Sequence, residues 1–62
     1  MNKIENIKKI LHEQCGFGWD VANELVAKHD DIVDAKLSNG ESEKDIALAL
    51  ENEWLNEGGD NE

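Results

Sequence analysis

One stretch of eight residues, Cys15 to Ala22, restricts the fold of this 62-residue chain more than any other part of its sequence. It reads Cys-Gly-Phe-Gly-Trp-Asp-Val-Ala and holds two of the three aromatic residues. Gly16 can adopt the left-handed conformation that closes a helix, and the carboxylate of Asp20 can cap the first turn of the next one. We therefore predict a tight joint between two helices, with the rings of Phe17 and Trp19 fixing the angle between them.

Apolar residues on both sides of this joint recur at the three-and-four spacing of amphipathic helices. The first helix is predicted at about 2–15, with Asn2 as its N-cap. The last is predicted at about 42–55, where Ser42 and Asp45 form a pattern close to a capping box. The positions predicted to be buried in these two helices are Ile4, Ile7, Ile10, Leu11, Ile46, Ala47, Leu50 and Trp54.

The middle segment, 20–38, has two interpretations. Its apolar stripe continues through His29 without losing the helical period, which favours one unbroken helix. Either Asp30 or Asp31 could instead cap a new short helix. We predict the unbroken helix, ended by Ser38-Asn39-Gly40, because asparagine and glycine tolerate positive φ and serine favours turns.

Together these patterns predict an all-α fold, a small bundle of three helices, or of four if the middle helix breaks. We expect one helical domain over residues 1–56 and a flexible acidic tail over 57–62, and we take the chain for a complete small gene product. The chain contains no proline to interrupt a helix. A chain this short buries a small share of its surface, so a homodimer stays open as an alternative to the monomer.

The net charge of −9 comes from 15 acidic residues against six lysines. Because binding of phosphates depends on lysine and arginine, we expect no direct contact with nucleic acid, and an acidic body is also repelled by anionic membranes. The single cysteine cannot form an internal disulfide. With no apolar run long enough for a signal peptide or a membrane span, a cytoplasmic location is expected.

Three residues could suggest chemistry. His12 and Cys15 lie three apart, a spacing at which an imidazole could take a proton from a thiol, but no third group or oxyanion site accompanies them. A zinc site from His12, Cys15 and His29 would lack the closely spaced cysteines that structural zinc sites usually have. We therefore predict no enzyme activity, no metal and no cofactor.

Binding of another protein is the function that the residues favour. The candidate contact residues are large apolar side chains that a small bundle can fail to bury, namely Phe17, Trp19, Trp54 and Leu55. A second hypothesis is a DNA mimic that inhibits a nucleic-acid-binding enzyme, with Glu43 and Asp45 as the central contacts in a set that also contains Glu41, Glu51 and Glu53. A third interpretation of these acids is that they only confer solubility.

Two family resemblances agree with a binding function. The segments Leu11–Trp19 and Asp30–Ala35 resemble the ubiquitin-associated (UBA-like) three-helix fold, in the version found in elongation factor Ts and the nascent-polypeptide-associated complex. The segments Cys15–Ala22 and Gly40–Ala47 resemble small early proteins of lytic phages that bind and disable host proteins. The second resemblance implies an inhibitor or modulator that binds a host protein in the host cytoplasm, and the first implies an adaptor domain; both imply binding without catalysis.

Overall fold

The computed structural model describes residues 2–57, and these residues form four helices and no strand. The helices are α1 (Lys3–Glu13), α2 (Trp19–Lys28), α3 (Asp30–Ser38) and α4 (Glu43–Asn56). The predicted all-α class is confirmed, in its four-helix form. The acidic tail predicted from residue 57 lies, beyond Glu57, outside the described residues.

The prediction of one unbroken helix over 20–38 is wrong, because the chain bends at His29. The backbone of His29 has φ −114° and ψ 34°, outside the helical region, so it ends α2 and starts α3 at once. Its amide still donates to the carbonyl of Leu25 at 3.1 Å, and its carbonyl accepts from the amide of Val33 at 3.0 Å. Because one residue makes the bend, the buried stripe of Leu25, His29 and Val33 continues across it, and the sequence period does not reveal it.

The first turn of α3 also differs from the expected capping. No side chain among residues 2–57 caps its N-terminus, and the Asp31 carboxylate instead accepts from the neighbouring amide of Ile32 at 2.9 Å. Asp30 and Asp31 both lie in the first turn, where their negative charges interact favourably with the helix dipole. The predicted alternative break is therefore correct in position, but neither carboxylate acts as the N-cap.

The joint between α1 and α2 confirms one prediction and corrects another. Gly16 has φ +82°, the left-handed conformation expected after α1, and the amide of Phe17 donates back to the carbonyl of Leu11 at 3.1 Å. Asp20 does not cap α2: the N-cap is Gly18, whose backbone is extended and which offers no side chain. Asp20 is the second residue of α2, where its carboxylate interacts favourably with the helix dipole.

The turn between α3 and α4 is built as expected from Gly40 and Ser42. Gly40 has φ +82°, its amide donates to the carbonyl of Leu37, and the amide of Glu41 donates to the carbonyl of Lys36, which together make a Schellman motif. Ser42 Oγ then accepts from the amide of Asp45 at 3.1 Å and caps α4. At the start of the chain, Asn2 caps α1 in the same way, through the amide of Ile4.

The core lies where α1 packs against α4, with α2 and α3 closing its other sides. Asn6 meets Glu43 near the start of these two helices and Phe17 meets Trp54 near their ends, so α1 and α4 run side by side in the same direction. The contact of His29 with Glu57 places the start of α3 beside the end of α4, so these two helices run in opposite directions. The buried apolar residues are Ile7, Leu11, Ala22, Leu25, Val26, Val33, Ile46, Ala47 and Leu50.

Candidate protein-binding site

Two pairs of rings lie where α1 ends, α2 begins and α4 approaches its C-terminus, and we call their four residues (His12, Phe17, Trp19 and Trp54) the aromatic corner. Phe17 and Trp54 meet edge to face, with ring centroids 5.5 Å apart and an interplanar angle of 69°. Both are partly buried and pack against the core. This geometry suits the quadrupoles of the two rings, so the pair fastens the joint to α4.

Trp19 occupies the outer part of the aromatic corner. Its ring stacks on the imidazole of His12, with centroids 4.1 Å apart and an interplanar angle of 22°. His12 is itself held in place, because Nδ1 donates to the carbonyl oxygen of Phe17 at 2.8 Å. Trp19 nevertheless remains 49% exposed. A large ring is thus held in a fixed orientation while half of it faces solvent.

Leu55 directly follows Trp54 on α4 and is 64% exposed. Leu48, the other large exposed apolar residue of α4, lies seven residues earlier, or about 10 Å along the helix axis. Three of the predicted contact residues therefore lie in one region: Phe17 packs against Trp54, and Trp19 stacks on His12, whose ring is bonded to the Phe17 carbonyl. Leu55 follows Trp54 in the sequence, about 100° around the helix, and is exposed.

Glu43 and Asp45, the other two predicted contact residues, lie at the opposite end of α4. They are nine to eleven residues from Trp54, which is about 14–16 Å along the axis. Glu43 Oε2 accepts from the side-chain Nδ2 of Asn6 at 3.4 Å, and Asp45 is exposed. The structure does not bring these two acids together with the aromatic corner.

The remaining acids of the predicted mimic set also lie apart from one another. Glu41 pairs with Lys36 at 3.6 Å. Glu51 lies beside Cys15, on the side of α4 that faces α1, whereas Glu53 lies beside His29, on the side that faces the bend. Because Glu51 and Glu53 differ by about 200° around the helix, these carboxylates do not form a single row.

The sequence did not predict a polar cluster that lies at the C-terminal end of α4, on the side that faces the bend at His29. Lys28 Nζ donates to Glu57 Oε1 at 2.6 Å, and Glu57 Oε2 lies 3.3 Å from His29 Nε2. The hydrogen bond with Lys28 lowers the pKa of Glu57, and the same bond raises the pKa of Lys28. Glu53 joins this cluster. The only sequence signal was the four-residue spacing of Glu53 and Glu57, which places both on one face of a helix.

The residues considered for catalysis or zinc do not assemble into a site. His12 uses Nδ1 on the Phe17 carbonyl and its ring face on Trp19, whereas His29 faces the end of α4. In the described part of the chain, His12, Cys15 and His29 do not form a group within reach of one ion. Burial and the nearby carboxylate of Glu51 raise the pKa of Cys15, which is the opposite of what a nucleophilic thiol requires.

Comparison with models of protein families, with curated proteins and with solved structures finds no match. Among residues 2–57 no helix has both the length and the apolar character needed to cross a bilayer.

Proposed function

We propose that this chain is a non-catalytic, acidic module that binds another protein through the aromatic corner and Leu55. The observation that carries the proposal is the half-exposed ring of Trp19, stacked on His12 beside the Phe17–Trp54 pair. Tryptophan is the side chain most enriched among interface residues that dominate binding energy. Here the ring is already oriented in the free protein, so binding costs little side-chain entropy.

Charge supports a partner of a particular kind. The chain carries a net charge of −9, and Asp20, directly after Trp19, is exposed. An exposed apolar ring on an acidic protein fits an apolar depression bordered by lysine or arginine. We therefore propose a partner surface with an apolar centre and a basic rim.

The proposed class of partner depends on the two family resemblances of the sequence. The likeness of Cys15–Ala22 and Gly40–Ala47 to early phage proteins supports a host protein as the partner and inhibition or modulation of that protein as the effect. The likeness to UBA-like domains leads to the same class of function, an adaptor that binds protein. The cytoplasm, and for a phage protein the host cytoplasm, is the compartment that fits this proposal.

Quantitative capture from a bacterial lysate tests the proposal. The chain is immobilised through its N-terminus, because α1 begins at the far end of the bundle from the aromatic corner. We expect one set of proteins to be retained by the wild type and by Leu48→Ala, and to be depleted roughly tenfold or more with Trp19→Ala. Leu48 is the matched control, since it is 44% exposed but lies on another turn of α4. Circular dichroism verifies that the wild type and both variants fold.

Salt and charge reversal separate this proposal from the DNA-mimic alternative. A complex anchored by Trp19 should change little between low and high ionic strength, whereas the affinity of a charge mimic should fall steeply. Loss of binding with Glu43→Lys and Asp45→Lys, while Trp19→Ala still binds, would support mimicry and overturn the aromatic contact. Equal capture by the wild type and Trp19→Ala would likewise contradict the proposal.

A further inference from the structure

Three side chains from two separate parts of the chain converge at the end of α4. Glu53 lies in the last turn of α4, Glu57 is the C-cap residue four positions later, and His29 reaches them from the bend between α2 and α3. One ligand atom from each side chain, a ring nitrogen or a carboxylate oxygen, lies within 4.8 Å of the other two. The fold therefore brings together one imidazole and two carboxylates.

His29 is the unusual member of this group, since it is the one buried polar residue among those described and is only 8% exposed. Its Nε2 atom is buried and has no hydrogen-bond partner within the described part of the chain. Glu57 Oε2 is 3.3 Å away and close enough for His29 to contribute to the lowered pKa of Glu57, but the angle of the contact is too poor for a well-formed hydrogen bond. A buried polar atom without a partner costs free energy, so such an atom requires an explanation.

We propose that His29 Nε2, Glu53 and Glu57 bind a divalent transition-metal ion of the zinc type. Imidazole and carboxylate are both zinc ligands, with bonds of about 2.0–2.2 Å. Two ligands at that distance and at the tetrahedral angle are about 3.3 Å apart, which matches the separation of His29 Nε2 and Glu57 Oε2. Glu53 is only partly buried, so its carboxylate can turn toward the ion. Water would occupy the fourth position.

Lys28 limits the affinity of this site without occupying it. Its Nζ holds Glu57 Oε1 at 2.6 Å, which leaves Oε2 free on the side of His29. The same bond orients the Glu57 carboxylate, as hydrogen bonds to metal-binding carboxylates commonly do. The positive charge of the ammonium group nevertheless repels a divalent cation. Removal of the Lys28 side-chain charge should therefore strengthen binding of the metal ion.

An ion at this position would connect the bend at His29 to the last turn of α4. These two parts of the chain are 24 residues apart, from position 29 to position 53, and only the folded chain brings the ligands together. Binding would therefore stabilise the fold. This inference does not depend on the proposed protein-binding function, because the aromatic corner uses other residues.

Thermal unfolding and calorimetric titration with ZnCl₂ test the proposal on the full chain without an affinity tag, because histidine tags bind zinc. We expect one zinc ion per chain, and a rise in Tm of about 10 °C or more at a hundredfold excess over Kd. Glu57→Gln, on an exposed side chain, and His29→Gln should each weaken binding roughly 100-fold or more. Lys28→Gln should strengthen it, and Co²⁺ in place of zinc should give the absorption bands of a four-coordinate site.

Two controls distinguish this site from other causes of a zinc effect. His12→Gln removes the second histidine and Cys15→Ser the only thiol, and both variants should bind zinc as the wild type does. The proposal is overturned if the wild type shows no rise in Tm with zinc. It is also overturned if Mg²⁺ produces the same rise, or if Glu57→Gln and His29→Gln bind as tightly as the wild type, because the effect would then come from the acidic surface in general.

Discussion

Phe17 and Trp54 meet edge to face, with ring centroids 5.5 Å apart, and this contact joins the loop after α1 to the last turns of α4. The two residues are 37 positions apart in the sequence, from 17 to 54. Phe17 follows the left-handed residue Gly16, so the turn itself aims the ring at α4. A loop that would otherwise lie on the surface of the bundle thereby contributes to its core.

Loss of the Phe17 ring should destabilise the whole domain. Because the ring is only partly buried, we expect Phe17→Ala to lower the free energy of unfolding by roughly 2–3 kcal/mol, below the cost of truncating a fully buried phenylalanine. Urea denaturation followed by circular dichroism measures the change. Phe17→Leu keeps much of the apolar volume but loses the contact between rings, and should cost about 0.5–1.5 kcal/mol. Equal stability of the wild type and Phe17→Ala would mean that this pair does not fasten the joint.

The glycines of the two turns should respond differently to alanine. Gly40 has φ +82°, so Gly40→Ala forces a side chain into the left-handed region and should cost about 1–2 kcal/mol. Gly18→Ala is the matched control: Gly18 has φ −68°, and a methyl group there would meet no atom within 4 Å. That change should cost less than Gly40→Ala, because the lower entropy of the unfolded chain partly offsets the loss from placing alanine, a poorer N-cap than glycine, at this position. Similar losses at both positions would contradict the assigned turn.

The cap of α4 can be tested with a pair of identical substitutions. Ser42 Oγ accepts from the amide of Asp45, and Ser42→Ala should therefore lower the free energy of unfolding by about 1 kcal/mol. Ser38→Ala provides the comparison, since Ser38 is the exposed last residue of α3 and does not cap that helix. Chemical denaturation of both variants gives the difference. The cap would have no energetic role if the two serines proved equally dispensable.

The predictions that succeeded from sequence depend on local chemistry. Asn2, Gly16, Gly40 and Ser42 have the expected roles, because caps and left-handed turns are determined by residues within a few positions. The bend at His29 was missed because a one-residue break does not disturb the period of the stripe. Asp20 was assigned to the N-cap because only its residue type was known, and Gly18 took that position instead.

The parts of the candidate sites that could not be predicted depend on how distant helices pack. The sequence shows that Phe17, Trp19 and Trp54 are large apolar residues. It does not show that Trp19 stacks on His12 and remains half exposed. The cluster of His29, Glu53 and Glu57 requires the bend at His29, which sets where α3 starts beside the end of α4. Because an unbroken helix was predicted through His29, this cluster of side chains could not be predicted.

The thiol of Cys15 should react slowly and in a way that depends on Glu51. Burial and the Glu51 carboxylate raise the pKa of Cys15 above its ordinary value of 9.0, so the reactive thiolate is scarce at neutral pH. We expect Glu51→Gln to lower that pKa and to speed alkylation by iodoacetamide near pH 8, as measured by mass spectrometry over a pH series. Glu53→Gln removes the same charge on the far side of α4 and should leave the rate unchanged. Equal acceleration by both variants would indicate a general effect of charge.

The raised pKa of Cys15 also predicts how the stability of the fold depends on pH in alkaline solution. Because the pKa of Cys15 is higher in the folded chain than in the unfolded one, the unfolded chain loses the thiol proton first as pH rises. The stabilising contribution is therefore complete below about pH 9 and is lost as pH rises through the folded pKa. Cys15→Ser removes this titration, so the free energy of unfolding of the variant should fall less steeply above pH 9 than that of the wild type. Parallel curves for the two proteins over that range would show that the thiol is not shifted by its surroundings.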